Sequence, residues 1–153
     1  MSSVNIESAD VRDAKEILDL QKLAYRSEAA IYDDYAIPPL IQAPEEMEAD
    51  FDDNLFLRAS HQGKIIGSVR GRLSRGTCFI GRLIVHPAHQ GRGLGTSLMN
   101  EIEKHFPEAE RFELFTGHRS EGNLRLYARL GYRVFKREKI SETLEFVYME
   151  KNP

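Results

Sequence analysis

A single cysteine stands among the 153 residues, so the chain cannot close a disulfide on itself and an intracellular setting is expected. Cys78 lies in an apolar run, where a free cysteine usually behaves as a small buried hydrophobe and not as a nucleophile. No stretch reaches the roughly 18 apolar residues of a membrane span. The polar segment from Met1 to Asp10 has no signal-peptide core. Cytoplasmic localisation, with no membrane partner, is the expectation. No lysine/arginine block stands out either: 21 basic residues against 24 acidic ones leave a net charge of −3. The electrostatic footprint of non-specific nucleic-acid binding is missing, so no nucleic-acid partner is expected. Internal repeats and low-complexity tracts are also absent. One domain over residues 1–153 is expected, long enough to bury a real core.

What is present alternates between strand-like and helix-like patterning. Hydrophobic residues make up 41% and charged residues 29%, ordinary for a globular chain. Val4 and Ile6 alternate with polar neighbours as a first strand. Asp10, followed three residues later by Asp13, resembles an N-cap with an acidic N3 residue, and Ala14, Ile17, Leu18, Gln21, Ala24 and Tyr25 then follow helical spacing to about Ala30. The Pro38-Pro39 pair argues against a regular helix between Ile31 and Ala43, whereas Pro44 can open one over Glu45–Phe51. Leu55–Ser60 and Lys64–Leu73, joined at Gln62-Gly63, read as a hairpin, and Thr77–Val85 as the next strand. Leu94, Leu98, Met99, Ile102 and Phe106 mark one face of a helix that Pro107 stops. Phe112, Leu114 and Thr116 alternate as a strand, Asn123–Leu130 is helical with Gly131 as its C′ residue, and Tyr132–Lys136 pairs with Leu144–Glu150. The expected order, β-α-α-β-β-β-α-β-α-β-β, describes an α/β (α+β) fold with a mixed, largely antiparallel sheet flanked by about four helices.

Between the third β-like run of this central block and the helix after it lies Gln90-Gly91-Arg92-Gly93-Leu94-Gly95. A helix start presents unpaired N–H groups and partial positive charge, and glycine lets backbone approach a diphosphate closely. Arg92 can add a charged donor. A Walker loop requires lysine before Ser/Thr, which Gly95-Thr96 lacks. A dinucleotide fingerprint counted from Gly91 ends on Thr96 where glycine is needed. Gln/Arg-x-x-Gly-x-Gly/Ala fits, as Gln90, Gly93 and Gly95.

The segment from Gly81 to Met99 resembles the acetyl-CoA-binding motif of the GNAT superfamily of N-acetyltransferases. Asn123 to Tyr132 resembles that superfamily's downstream helix and following strand, and the element order agrees, so the resemblance covers nearly the whole chain. It implies acetyl transfer from acetyl-CoA directly to an amine, with no covalent acyl-enzyme and no metal. Main-chain groups of Leu83, Ile84 and Val85 would face pantetheine, and the N–H groups of Gln90, Gly91, Arg92, Gly93, Leu94, Gly95 and Thr96 the pyrophosphate. Asn123 would meet the pantetheine arm. Tyr127, four residues on along the same helical face, would protonate the departing thiolate. A phenol near pKa 10 can donate to a thiolate of conjugate acid near 8.5 only slightly uphill. An amphipathic core position beside Leu124 and Leu130 is the other reading of Tyr127.

The acceptor side is less determinate. An alkylammonium near pKa 10.4 must lose a proton around the attack. Relatives often use a glutamate near the central strands, but Arg82 occupies the strand before the loop here. His118, with a suitable intrinsic pKa, and Glu113 or Glu121 are candidates for the base, each also readable as a surface residue. Tyr32, Asp33, Asp34 and Tyr35 fall in the segment that would wall the acceptor pocket, where aromatic rings and carboxylates suit a cationic amine; a solvated turn is the alternative. His86 and His89 lack the partners of a metal site. The expected acceptor is a small-molecule amine, with a peptide or protein amine as the alternative and a non-catalytic acyl-CoA-binding module as a third reading. The terminal strand pair could support a homodimer.

Overall fold

Asp10 accepts the Arg12 N–H at 2.8 Å and donates its own N–H to the Asp13 carboxylate at 3.1 Å, so the reciprocal capping foreseen from sequence opens the first helical segment as a 3-10 turn, Val11–Asp13. That detail and those below come from a computed structural model describing residues 3–153. The strands are β1 (Asn5–Ala9), β2 (Leu55–His61), β3 (Lys64–Ser74), β4 (Thr77–Val85), β5 (Arg111–Gly117), β6 (Arg133–Lys139) and β7 (Glu145–Lys151). The helices are α1 (Ala14–Ala24), α2 (Arg26–Tyr32), α3 (Pro38–Ile41), α4 (Pro44–Asp53), α5 (Leu94–Lys104) and α6 (Glu121–Arg129).

Two local departures from the sequence reading have clear causes. The expected first helix is divided at Tyr25 into α1 and α2, with φ −80° and ψ −2° at the junction. Nearby, the Ser27 hydroxyl takes the Ala24 carbonyl at 3.2 Å, a side-chain bond that competes with the helix ladder and bends it. Pro38-Pro39 opens a one-turn helix where none was expected. Proline suits the first helical positions, since their N–H groups need no intrahelical partner, and Ile37 before it is extended (φ −63°, ψ 147°) as the proline ring demands.

Among the described residues the strands form one sheet, ordered β1-β2-β3-β4-β5-β7-β6. Every pairing is antiparallel except β4 with β5. One face carries the larger core, where Leu98, Met99 and Ile102 of α5 and Tyr127 of α6 pack on Leu57, Val69 and Leu114. The other carries a smaller core of Ile17, Leu18 and Met47 on Phe56, Ile65 and Ile84. Cys78 is fully buried in the larger core, and that burial pushes its thiol up to about 12.

Two irregularities in β4 position the site. Its parallel pairing with β5 covers only Thr77–Phe79 against Arg111–Glu113; from Ile80 onward β4 pairs with β3 alone. A β-bulge sets Arg82 and Leu83 opposite the single residue Val69, between the pairs Arg70–Gly81 and Ser68–Ile84. Arg82 takes the extra residue's left-handed conformation, φ 51°. The bulge also reverses which face the strand's even positions occupy: Cys78 and Ile80 lie in the larger core, Ile84 in the smaller one.

Candidate active site

Where β4 leaves β5, a cavity of about 500 Å³ opens between α2, the end of β4 and the starts of α5 and α6. That is within the range of small-molecule and cofactor sites. Leu83, Ile84 and Val85 form one wall. Gln90, Gly91 and the run from Gly93 to Thr96 form its rim. Gly91 and Gly93 hold φ 77° and 80°, a region L side chains rarely enter. They turn the chain so that Gly93 becomes the N-cap of α5. The first intrahelical bond runs from the Ser97 N–H to the Gly93 carbonyl at 3.0 Å, so the N–H groups of Leu94, Gly95 and Thr96 face out of the helix start. Gln90 donates its amide to the Val85 carbonyl at 3.3 Å. Arg92, expected beside these N–H groups, instead lines a second cavity of about 250 Å³ with His61 and His89.

The opposite wall comes from α2 and α6. Glu28 of α2 reaches across to the β5–α6 turn. Its Oε2 accepts the Ser120 hydroxyl at 2.5 Å and its Oε1 the Asn123 side-chain amide at 3.2 Å. Asn123 also donates to Thr116 Oγ1 at 3.3 Å, so the residue expected at the pantetheine arm is tied to both β5 and α2. Tyr25, at the helix break, lines the same space. Tyr127, one turn beyond Asn123, is buried in the larger core with 6% exposure and is not part of the cavity lining. Burial raises its pKa, and the neighbouring Tyr25 and the Glu28 charge raise it further. The phenol therefore holds its proton across the physiological range.

These arrangements can grip a diphosphate at a helix start and lay an extended arm along an unpaired strand edge, with Tyr25 and the Glu28 carboxylate on the facing wall. The sequence profile of the acetyltransferase (GNAT) family matches residues 15–132. The chain belongs to that family. Among solved structures, the GNAT chain resembles PaiA N-acetyltransferase from Thermoplasma acidophilum, in complex with coenzyme A. The TM-score is 0.82 at 18% identity, covering 99% of each chain. YncA from Salmonella typhimurium, solved with its cofactor acetyl-CoA, matches with TM-score 0.77 and 21% identity over 99% of this chain and 94% of that one. The ribosomal-protein-S18-alanine N-acetyltransferase from Escherichia coli matches with TM-score 0.81 and 14% identity over 98% and 94%. A curated relative, UPF0157 protein YqkA from Bacillus subtilis (strain 168), is 28% identical over 131 residues. Those residues are 86% of this chain and 38% of that protein.

The candidates for the base separate in space. Glu28, which sequence reasoning did not single out, faces the cavity of this GNAT fold; its partners lie 92 and 95 residues away, and no local pattern marks such a contact. His118 accepts the Glu145 N–H on Nδ1 at 2.9 Å and is not part of the cavity lining. Glu113 is held by Arg111 at 2.8 Å. Glu121 lines the cavity rim with its side chain 81% exposed. In the segment expected to wall the acceptor pocket, Tyr32 is buried, sharing a bond with Ser120 (2.8 Å) and accepting the Arg119 N–H (2.9 Å). Asp33 and Asp34 are exposed, and Tyr35 is 59% exposed. His61, His89 and His86 stand in a row with 5.8 Å between successive ring centroids. Among the described residues no helix is long and apolar enough to cross a membrane.

Proposed function

We propose that this GNAT chain transfers the acetyl group of acetyl-CoA directly to the amine of a small molecule. One observation carries the reading: β4 loses its partner β5 after Phe79 and runs, unpaired on that side, to Val85, from which a 3-10 turn (Pro87–His89) leads to the glycine-capped start of α5. A linear cofactor with a diphosphate at one end and amides along its arm matches both features. The exposed helix-start N–H groups take the diphosphate, and the free strand edge takes the amides as a further strand would. Complexes of the T. acidophilum and S. typhimurium proteins with coenzyme A and acetyl-CoA support the same donor.

Tyr127 is the general acid of this proposal. Neutral until the thiolate forms, it gives its proton to the departing sulfur. Holding both reactants in one cavity supplies much of the rate. A small acceptor is favoured over a folded protein because the cavity wall opposite the cofactor is tied shut by the Glu28–Ser120–Asn123 bonds. The experiment is a thiol-release assay with acetyl-CoA over a panel of alkylamines, polyamines, amino acids and a peptide bearing a free N-terminus and a lysine. Release dependent on a small amine is the expected result; release with the peptide alone would replace the small-molecule acceptor by a protein one. Binding of acetyl-CoA with no amine-dependent release would favour the non-catalytic acyl-CoA module.

A further inference from the structure

Nothing so far removes the proton that the attacking amine must lose. Glu28 lines the cavity, and two donors on the opposite side hold its carboxylate in place, Ser120 Oγ at 2.5 Å and Asn123 Nδ2 at 3.2 Å. Ser120 is itself held by the Tyr32 hydroxyl at 2.8 Å. Both Glu28 oxygens keep lone pairs beyond these bonds. The bond to Asn123 sets the carboxylate against the helical face that carries Tyr127 one turn on. The other acidic groups near the site are otherwise engaged: Glu113 is paired with Arg111, and Glu121 stands out in solvent. A negative charge fixed beside two tyrosines, Tyr25 and Tyr127, also suits the approach of a cationic amine.

We propose that Glu28 is a catalytic residue: it anchors the acceptor's ammonium and then takes the proton that the nitrogen loses as the amide forms. The inference rests on the acetyl-transfer reading above. The ammonium first releases one proton to solvent. The neutral amine's lone pair forms the C–N bond at the thioester carbonyl, giving a nitrogen with one excess proton and a negative oxygen. Glu28 accepts that proton. The carbonyl re-forms, the C–S bond breaks with its electron pair on sulfur, and Tyr127 protonates the thiolate. The proton held by Glu28 then returns to the Tyr127 phenolate through water, and both residues regain their starting states. The sum is amine plus acetyl-CoA giving amide plus coenzyme A, balanced in atoms and charge.

Glu28→Gln keeps the size and an acceptor oxygen but removes the base. The test compares an alkylamine, cationic at neutral pH, with hydroxylamine, which is already neutral and whose adduct is acidic enough to lose its proton to water. With the alkylamine, kcat/KM should fall about 10²–10⁴-fold, and with hydroxylamine by less than about tenfold, while the acetyl-CoA Kd from calorimetry stays unchanged. A merely structural Glu28 would lower both rates alike. Equal losses, or no loss, overturn the proposal and leave acetyl transfer standing. Glu28→Asp retracts the carboxylate by one methylene and should order the two amines the same way. Equal effects in that variant overturn the proposal even where the glutamine variant fails to fold. A wild-type protein that binds acetyl-CoA and acetylates neither amine removes the transfer reading, and the role of Glu28 with it.

Discussion

Tyr127 keeps its proton because it is buried and because Tyr25 and the Glu28 charge lie near it. The raised pKa has two consequences. As the proposed acid it is fully protonated when the reaction begins, but donation to a thiolate of ordinary basicity is further uphill than an unperturbed phenol would make it. A thiolate formed in the same desolvated cavity is also more basic than one in water, since burial disfavours the charged form of both groups. On this reading Tyr127→Phe removes the donor and little else, because the ring still packs in the larger core. Turnover should fall about 10²-fold or more with acetyl-CoA affinity unchanged, measured as kcat at saturating amine beside a calorimetric Kd. Undiminished kcat would leave Tyr127 a core residue. At this scale the sequence was informative where the chemistry is local: Asn123 and Tyr127 share a helical face, and their spacing alone declares it. It was silent about Glu28, whose neighbourhood exists only once α2 is folded against the β5–α6 turn.

Single elements carry the donor half of the site. The turn into α5 depends on backbone that bends left-handed at Gly91 and Gly93 with open space around both, so conformation, not crowding, is what demands glycine. Gly93→Val places a β-branched side chain at φ 80°, a conformation costing L residues roughly 1–2 kcal/mol. The variant should melt lower and bind acetyl-CoA more weakly, read by thermal unfolding with and without the ligand. A variant with lowered melting temperature but full affinity would show that the cradle tolerates a different path. Helix starts, the hairpin and the glycine loop were legible because each is written in a few adjacent residues: Asp10 with Asp13, Gln62-Gly63, and Gly93 before Leu94. The break at Tyr25 was not legible. Its cause is one hydroxyl, Ser27, choosing a carbonyl, against an apolar pattern that continues through it. The turn at Pro38-Pro39 was missed for the opposite reason, since the residues that stop one helix also start another.

Across the whole molecule, the α2 wall of the cavity meets the sheet at a crowded point. A Cβ on Gly117 would fall on the Tyr32 hydroxyl, the group that holds Ser120 and the Arg119 N–H. Gly117→Ala should therefore cost about 1–3 kcal/mol, as overpacking does, and should also lower turnover by loosening the Ser120–Glu28 bond. Thermal unfolding and an alkylamine assay on the same sample would check both, and a stable variant with full activity would uncouple Tyr32 from the site. The mixed, largely antiparallel sheet followed from strand patterning and the family resemblance. The cavity's far wall did not, because it is assembled from segments roughly 90 residues apart, as in the Glu28–Ser120 contact.

The bulge at Arg82 is a single additional residue in a strand whose side chains alternate with period two, and such a residue acts as a phase shift. Deleting one codon there would bring β4 back into simple alternation. Leu83 would then take the place opposite Val69 on the α5 side of the sheet, Ile84 would stay opposite Ser68 on the α1 side, and the glycine cradle would keep its register with β3. In-frame deletions are usually judged by the residue they remove. Here the loss of one arginine would remove the kink and its left-handed backbone and leave the inside and outside of the strand as they are.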